Sequence, residues 1–508
     1  MVSASAVVDA PRRRIITTFL MMASFMQVLD TTIANVALPH IQGSLSATQD
    51  QMAWVLTSYI VAAAIMTPMA GWLSGRFGRK RIVLISIAGF TVASMLCGIA
   101  QSLPQMVLAR LLQGACGAAL VPMSQAVMLD IYPGEQLAKA MSIWVTGITI
   151  GPIMGPALGG WLTDNYNWRW VFYINVPIGI VAFLGTLTTL PKSTIKKAPF
   201  DFFGFATLSL AVGALQLTLD RGQLKDWFNS PEICIEAAVS VAGLYLFIVH
   251  MITARKTRFL DPSLFKDRNF VAGCLFIFNV GLLLYATLAL LPPLLQDLMN
   301  YPVVTTGLVT APRGLGTLIA MVIIARFSKI IDVRLMIGFG FALSAFSAWQ
   351  MSRFDLQMDM YTVMWSGIMQ GWGTGMVFVP LAGVAFATLK TSLRNEGAAL
   401  FSLSRNLGSS IGISVVETLL TRNTQTAHAS LAEHVTPFSP LVHALFQGGA
   451  PTLQRLSTLN AQVTQQATMI AYNDNFALMF WLSLGAIPLL LLLRKSGAPR
   501  SDEAVVVE

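Results

Sequence analysis

Long apolar runs, broken by short polar or basic stretches, recur from one end of the chain to the other. About 20 apolar residues cross a hydrocarbon core of ~30 Å at ~1.5 Å rise per residue. By that measure the pattern predicts fourteen helical spans, near 15–37, 53–73, 81–100, 105–129, 139–162, 170–190, 202–219, 233–253, 270–292, 303–326, 334–351, 359–388, 398–421 and 474–493. Spans seven and eight carry the weakest pattern, since Glu236 interrupts the second of them. Asp220 and Glu236 fall near span ends and are expected to be wet. The 359–388 segment is long and is expected to tilt or kink near Gly371, Gly373 and Pro380. The opening MVSASAVVDAPRRR starts as a secretion signal would, but the apolar run behind it is too long and lacks a nearby small-residue cleavage site, so it reads as a retained first span.

Composition agrees with a membrane protein. Only 11% of the 508 residues are charged and 55% are hydrophobic, against roughly 25% charged in soluble domains. The net charge of +9 is explained by position. With the N-terminus inside, the inner connections hold 24 Lys and Arg and the outer ones 6, while Arg110, Arg313 and Arg405 lie within spans. Such a bias places both termini in the cytoplasm and removes the need for a nucleic-acid partner. Cys97, Cys116, Cys234 and Cys274 all lie in apolar runs, and the five histidines form no ligand spacing, so neither a disulfide framework nor a metal site is expected. There is no GxxxxGK[ST] and no soluble unit to hold a nucleotide, so neither an enzyme nor an ATP-driven pump is expected. A polar stretch at 422–473, rich in Gln, Thr, Ala and Ser and with short helical-looking patches, is an exception among otherwise short outer loops; it reads as a variable insertion or as a docking element for a partner.

Several segments carry mechanism. GWLSGRFGRKR (71–81) joins spans two and three, with Gly71 and Gly78 for a tight turn and Arg76, Arg79 and Lys80 at the inner surface. IARFSKIIDVR (324–334) echoes it, and IMQGWGTGMVFVP (368–380) echoes ARLLQGACGAAL (109–120). Two related halves flanking spans seven and eight are the trace expected of an alternating-access transporter. In GITIGPIMGPALGGW (147–161), Gly151, Pro152, Gly155, Pro156, Gly159 and Gly160 follow Gly147; glycines at i, i+4 and i+8 present a flat stripe, and Pro152 and Pro156 remove two backbone donors and bend the helix, so the run reads as a gate that denies water a path or as ordinary tight packing. LDTTIANVALP (29–39) places a carboxylate, Asp30, inside the first span. A charge in hydrocarbon faces a cavity or a partner. Asp30 lies roughly 22 Å along its helix, about 8 Å short of the far side of the core, and Arg110 lies at a similar depth. A direct or water-mediated Asp30–Arg110 link is therefore geometrically open. Asp30 either exchanges protons or ties the first helix to its neighbours. Glu417 is a second candidate proton or cation site, against a solvated helix end. Arg313 and Arg405 fall near mid-membrane, where each attracts anions, gates the second half or satisfies buried carbonyls.

These segments resemble the major facilitator superfamily. GWLSGRFGRKR resembles its loop 2–3 motif, ARLLQG its helix-four motif with Arg110, Gln113 and Gly114 in the matching positions, and the 147–161 run its antiporter motif. LDTTIANVALP, NWRWVFYINVPIG (167–179), the LDRG of 219–222 and the long loop before the last span are similar to the fourteen-helix drug:proton antiporters of the EmrB type, over nearly the whole chain. Gly75 stands where the superfamily usually carries Asp, a residue thought to lock the outward-open state; the inner gate is then expected to rest on packing at Gly71 and Gly78.

The resemblance implies an all-α integral membrane protein with the major facilitator fold: a tail 1–14, a six-helix half 15–190, a linker with two extra helices 191–255, a second six-helix half 256–494 bearing the 422–473 periplasmic loop, and a tail 495–508. It implies a proton-coupled multidrug exporter of the bacterial inner membrane, driven by the proton gradient without a cofactor. Its substrates are expected to be lipophilic, often cationic, toxic compounds, and its partners a periplasmic adaptor and an outer-membrane channel. The alternative on the same scaffold is a dedicated metabolite exporter or importer.

Overall fold

The computed structural model describes residues 9–47, 49–132, 134–191, 199–254, 259–327, 330–390, 393–435 and 453–493. The tail 495–508, most of the first tail, and parts of the 191–255 linker and of the 422–473 loop lie outside the described residues. Regular structure among the described residues is entirely helical. The first half comprises α1 (Ala10–Leu45), α2 (Gln49–Phe77), α3 (Arg79–Ile99), α4 (Leu103–Gly117) continued by α5 (Leu120–Ile131), α6 (Gly134–Asn165), and α7 (Trp170–Tyr173) continued by α8 (Asn175–Thr189). Two further helices follow, α9 (Phe202–Arg221) and α10 (Pro231–Thr253). The second half comprises α11 (Arg268–Pro293), α12 (Val303–Thr310) continued by α13 (Arg313–Phe327), α14 (Val333–Met351), α15 (Met360–Ala387), α16 (Arg394–Glu433) and α17 (Leu453–Ala486). Eleven of the described segments are long and apolar enough to cross a membrane. The spans expected near 139–162, 334–351 and 398–421 are α6, α14 and α16, which fall outside that set; α16 alone carries Arg394, Glu396, Arg405 and Glu417.

Helix ends follow from local chemistry. Carboxylates at Asp201, Asp267, Asp332 and Asp359 accept backbone N–H bonds from the first turns of α9, α11, α14 and α15, a favourable use of negative charge at a helix N-terminus. Four of the chain's 24 acids thus cap α-helices. Between α2 and α3 the chain reverses through Gly78 at φ 88°, a conformation that a side chain would strain.

Each half has its own apolar core, and the second also gathers residues of α5 and α6 such as Trp144 and Ile148. The two extra helices are not peripheral to both halves equally. α9 lies against α2 of the first half and α16 of the second. Gln216 accepts a bond from Ser410 at 2.7 Å, and Asp220 accepts one from Thr57. Asp220 is therefore bonded rather than simply wet, and Glu236 pairs with Arg221 at 3.1 Å. α10 covers α9 and turns Ile235, Val241, Tyr245, Ile248 and Ile252 outward, as a lipid-facing helix should.

The polar 422–473 stretch is largely helix. α16 runs on to Glu433 and α17 starts at Leu453, so two polar arms extend beyond the apolar slab, joined by His428–Asn460 at 3.1 Å and Asn423–Asp474 at 3.4 Å.

A cavity of about 760 Å³ lies between the halves. Its rim residues Asn35, His40, Asp164 and Glu417 are exposed and sit on the far face, from which the α16 and α17 arms project. The near face, where α1 begins, is shut. A Cβ on Gly71 of α2 would stand 3.1 Å from the Glu396 Cα at the start of α16, leaving the two backbones in contact. Asp130 at the end of α5 pairs with Arg79 of α3 and lies 3.4 Å from Arg394 of α16, whose guanidinium also donates to Leu129 O at 3.1 Å. Of the two glycines expected to pack the gate, Gly71 does so and Gly78 shapes the turn; the ion cluster on Asp130 is the further element. A Gly71→Leu substitution should therefore force α2 from α16 and open the near face. Double electron–electron resonance between spin labels at the exposed positions Arg76 and Lys390 checks this, with a longer distance population expected and an unchanged distribution contradicting it.

Candidate functional site

The first-half segment that begins LDTT puts Asp30 on the inward side of α1, where it is fully buried. Arg110 of α4 donates to Asp30 Oδ2 at 2.6 Å, so the link is direct. The same Nη1 donates to Gln113 Oε1 at 2.6 Å, and Arg110 Nε donates to Val55 O at 3.1 Å. Asp30 Oδ1 accepts from Gln113 Nε2 at 2.9 Å and from Asn175 Nδ2 at 2.8 Å. Both amides also donate to Ser94 Oγ, each at 2.9 Å. The guanidinium lies 4.4 Å from the centre of the Tyr59 ring and 5.7 Å from that of Phe172. Burying an ion pair costs several kcal/mol that only close, complete pairing offsets; here α1, α2, α3, α4 and α8 all contribute to that pairing.

Asp30 is absent from the cavity wall, whereas Arg110 and Tyr59 line it. Arg110 thus stands between the carboxylate and the open space. All three donors aim at carboxylate oxygens. Oδ1 accepts two of these bonds and Oδ2 one, which uses three of the carboxylate's roughly four lone-pair sites.

The glycine stripe serves the same carboxylate. On α6, Gly147 faces Met21, Gly151 faces the backbone of Leu29 and Gly155 faces Thr32 and Ile33. A Cβ at Gly151 would lie 3.1 Å from Leu29 N, and one at Gly155 would lie 3.2 Å from Ile33 N. α1 is therefore seated on α6 on either side of Asp30. Gly159 is buried and Gly160 lines the cavity; Pro152 and Pro156 lie within α6. The NWRW block has a parallel role. Arg169 donates to the carbonyls of Gly98 and Ala100 at 2.7 and 2.8 Å, capping the end of α3, and Trp168 Nε1 donates to Ser44 Oγ at 2.9 Å. These bonds fix the start of α8, and Asn175 follows in the same block.

In the gate loop, Arg79 joins the Asp130 cluster, Lys80 donates to Leu187 O at 2.8 Å, and Arg76 is exposed. Glu417 lines the cavity near its mouth, far along α16 from Arg405, so it is not brought to Asp30. Arg313 and Arg405 line the cavity floor in the second half. Sequence reasoning missed Asn175, Ser94, Tyr59, Asp130 and Arg394. Asn175 stood inside a quoted motif, but no spacing rule connects it to a residue 145 positions earlier.

Residues 20–413 match the model of the Major Facilitator Superfamily. The chain is 38% identical over 484 residues to the multidrug export protein EmrB of Escherichia coli (strain K12), covering 94% of each chain. It is 37% identical over 486 residues to the fatty acid resistance protein FarB of Neisseria gonorrhoeae, covering 94% of this chain and 96% of that one. The crystal structure of the human organic anion transporter MFSD10 (TETRAN) shares the fold, with a TM-score of 0.57 at 13% identity over 93% of this chain and 99% of that one. A helical bundle in two halves, a buried charge cell beside a central cavity and full-length relatives agree: the chain belongs to the major facilitator superfamily and, within it, to the EmrB-type multidrug exporters.

Proposed function

We propose that the protein is a proton-coupled antiporter that carries lipophilic small molecules, cations among them, out of the cytoplasm by alternating access. The observation that carries this reading is the Asp30–Arg110 cell, buried beside a cavity that is open at one face and shut at the other. The Lys and Arg bias of the connections supports a bacterial inner-membrane protein with the shut face and both termini in the cytoplasm. The cavity wall supports amphipathic cargo: apolar positions such as Leu56, Ile60 and Leu288 alternate with the carboxylates Asp164, Asp220 and Glu417. The printed functions of the relatives, multidrug export and fatty acid resistance, are of the same kind.

The mechanism follows from the place of Arg110 between Asp30 and the cavity. A proton arriving from the far face reaches Asp30 only when Arg110 withdraws. Neutral Asp30 no longer needs the guanidinium, which already has Val55 O and the Tyr59 ring as partners and then turns to the cavity. Release on the cytoplasmic side restores the ion pair. No nucleotide or cofactor enters the cycle. Closure of the emptied cavity requires α2 to leave α16 at the near face, so breakage of the Asp130 cluster accompanies each turnover. Gly71 and Asp130 are gate elements here; they do not handle the proton.

The arms of α16 and α17 are the surface for a periplasmic adaptor, which would pass cargo to an outer-membrane channel. Their polar, exposed faces project on the side opposite the termini.

Asp30→Asn keeps the shape and the amide-compatible oxygen but cannot ionise. In proteoliposomes with an imposed pH gradient, ethidium efflux should fall about ten-fold or more, with an unchanged size-exclusion profile; undiminished proton-driven efflux by this variant would sink the coupling role. Replacing residues 424–466 by a short Gly–Ser linker should leave ethidium efflux in proteoliposomes intact and abolish both adaptor co-purification and resistance in cells. Retention of both would remove the arms from the assembly.

A further inference from the structure

The two halves echo each other at the level of single residues. Gln113 donates to Asp30, and Gln370 of α15 donates to Thr287 of α11 at 2.6 Å, across the same separation of 83 positions. Asp30, Arg110 and Gln113 correspond to Thr287, Gly367 and Gln370, each 257 positions on. At those positions the second half has neither the acid nor the base of the charge cell. Two guanidiniums nevertheless enter the region from other helices. Arg313, the first residue of α13, has its Cβ 3.9 Å from where a Gly367 Cβ would stand. It is 5% exposed, and its Nη2 is buried without a hydrogen-bond partner. Arg405 of α16 has its Nε buried without a partner, and its Nη2 is 3.5 Å from Asn406 Oδ1, at the limit of a bond.

Both arginines line a narrow recess of about 50 Å³ that lies below the main cavity, on the side of the shut face. The first half closes this recess with Val28, Val145 and Ile148, which carry no charge. No carboxylate lines it, and among the described residues none pairs with either arginine. A guanidinium does not lose its proton inside a protein, and a buried charge without a partner is costly. Water in the recess accepts hydrogen bonds but brings no negative charge. The missing component is therefore an anion, and the space sets its size. A recess of about 50 Å³ takes a few water-sized particles and has no room for an organic acid with a tail.

We propose that the recess holds one small inorganic anion, chloride in the cell, bound between Arg313 and Arg405 as a resident counter-ion and not as cargo. Charge-assisted N–H donors on two sides hold it. Both arginines belong to the second half, so the ion moves with that half as the two tilt. Its effect on cargo is indirect, and that part rests on the exporter reading given above. Arg313 and Arg405 also line the main cavity. With the recess empty, their charge repels a cation bound there; with the anion seated, the repulsion falls and the carboxylates Asp164, Asp220 and Glu417 dominate the wall. The anion therefore strengthens the binding of cationic cargo without touching it.

Equilibrium dialysis of chloride-36 against the full chain in nanodiscs, in sodium gluconate of fixed ionic strength, tests the site without requiring transport. The wild type should bind the label saturably, at one ion per chain. Bromide should displace it, whereas decanoate and sulfate should not at equal concentration. Arg313→Gln and Arg405→Gln should each weaken binding at least about ten-fold, and Arg313→Lys and Arg405→Lys should recover part of it. No saturable binding by the wild type would overturn the proposal, as would glutamine variants that fold and bind chloride as the wild type does. Displacement by decanoate would also overturn it by marking a carboxylate site, and displacement by sulfate would mark a site for larger anions. The wild-type competition decides even where a variant fails to fold. Ethidium binding to the wild type, read by fluorescence anisotropy, should weaken several-fold when gluconate replaces chloride; equal affinity in the two salts would strike out the effect on cargo. Absent proton-driven ethidium efflux with chloride binding intact would sink the exporter reading and leave this site standing; absent chloride binding with efflux intact would do the reverse.

Discussion

An ion pair placed where water cannot reach it sets the terms for the first half of this molecule. Asp30 and Arg110 are 0% and 1% exposed, and removing one partner of such a pair costs about 3–5 kcal/mol. The remaining lone pairs and N–H groups must also be satisfied, which draws Gln113, Asn175, Ser94 and the Val55 carbonyl into one network. Because these groups come from five helices, the chemistry of the site and the packing of the half are the same requirement. The glycine stripe of α6 then becomes intelligible. It lets α1 lie backbone to backbone against α6 around Asp30, and a bulkier stripe would shift the carboxylate relative to donors that tolerate only a few tenths of an ångström.

The second half keeps the frame and discards the pair. Its glutamine bonds a threonine hydroxyl, and glycines at 367 and 371 let α13 approach α15 closely at Arg313. One repeat thus holds a self-compensated charge cell and the other a basic floor that no carboxylate pairs. Their union across one cavity gives it charges of both signs, and α9 adds Asp220 and Gln216 to the wall. Of the extra helical pair, α9 is therefore part of the cavity as well as a spacer between the halves.

Much of this was legible in the sequence, for identifiable reasons. Apolar run length is a one-dimensional property, so the order of spans and the two-half division could be read directly. The depth of Asp30 and Arg110 could be read because a helix converts residue count into height, and equal heights on helices lining one cavity left a direct bond open. Lateral neighbours could not be read that way. Asn175 reaches Asp30 only because Arg169 caps α3 and orients the start of α8. Asp130 follows an apolar span, and nothing in the sequence ties it to Arg394, which α16 brings to it. The 422–473 stretch showed only short helical-looking patches, because without an apolar run a hydropathy pattern does not reveal the long continuation of α16 and α17.

Gly75 shows how the gate and the charge cell can be separated. A loop lacking its usual acid still closes here, since Asp130 lies between Arg79 and Arg394 and Gly71 allows backbone contact with the start of α16. The closing charge sits on α5, the continuation of α4, the helix that carries Arg110. On the proposed cycle this arrangement has a consequence. When Asp30 takes a proton, Arg110 loses its counter-charge and the cavity gains an uncompensated guanidinium. A bound cation is then repelled towards the open far face. When the proton leaves, the pair re-forms and the repulsion ends. One titration in the first half would thus act on cationic cargo through Coulomb forces across the cavity, without the cargo touching the carboxylate that binds the proton.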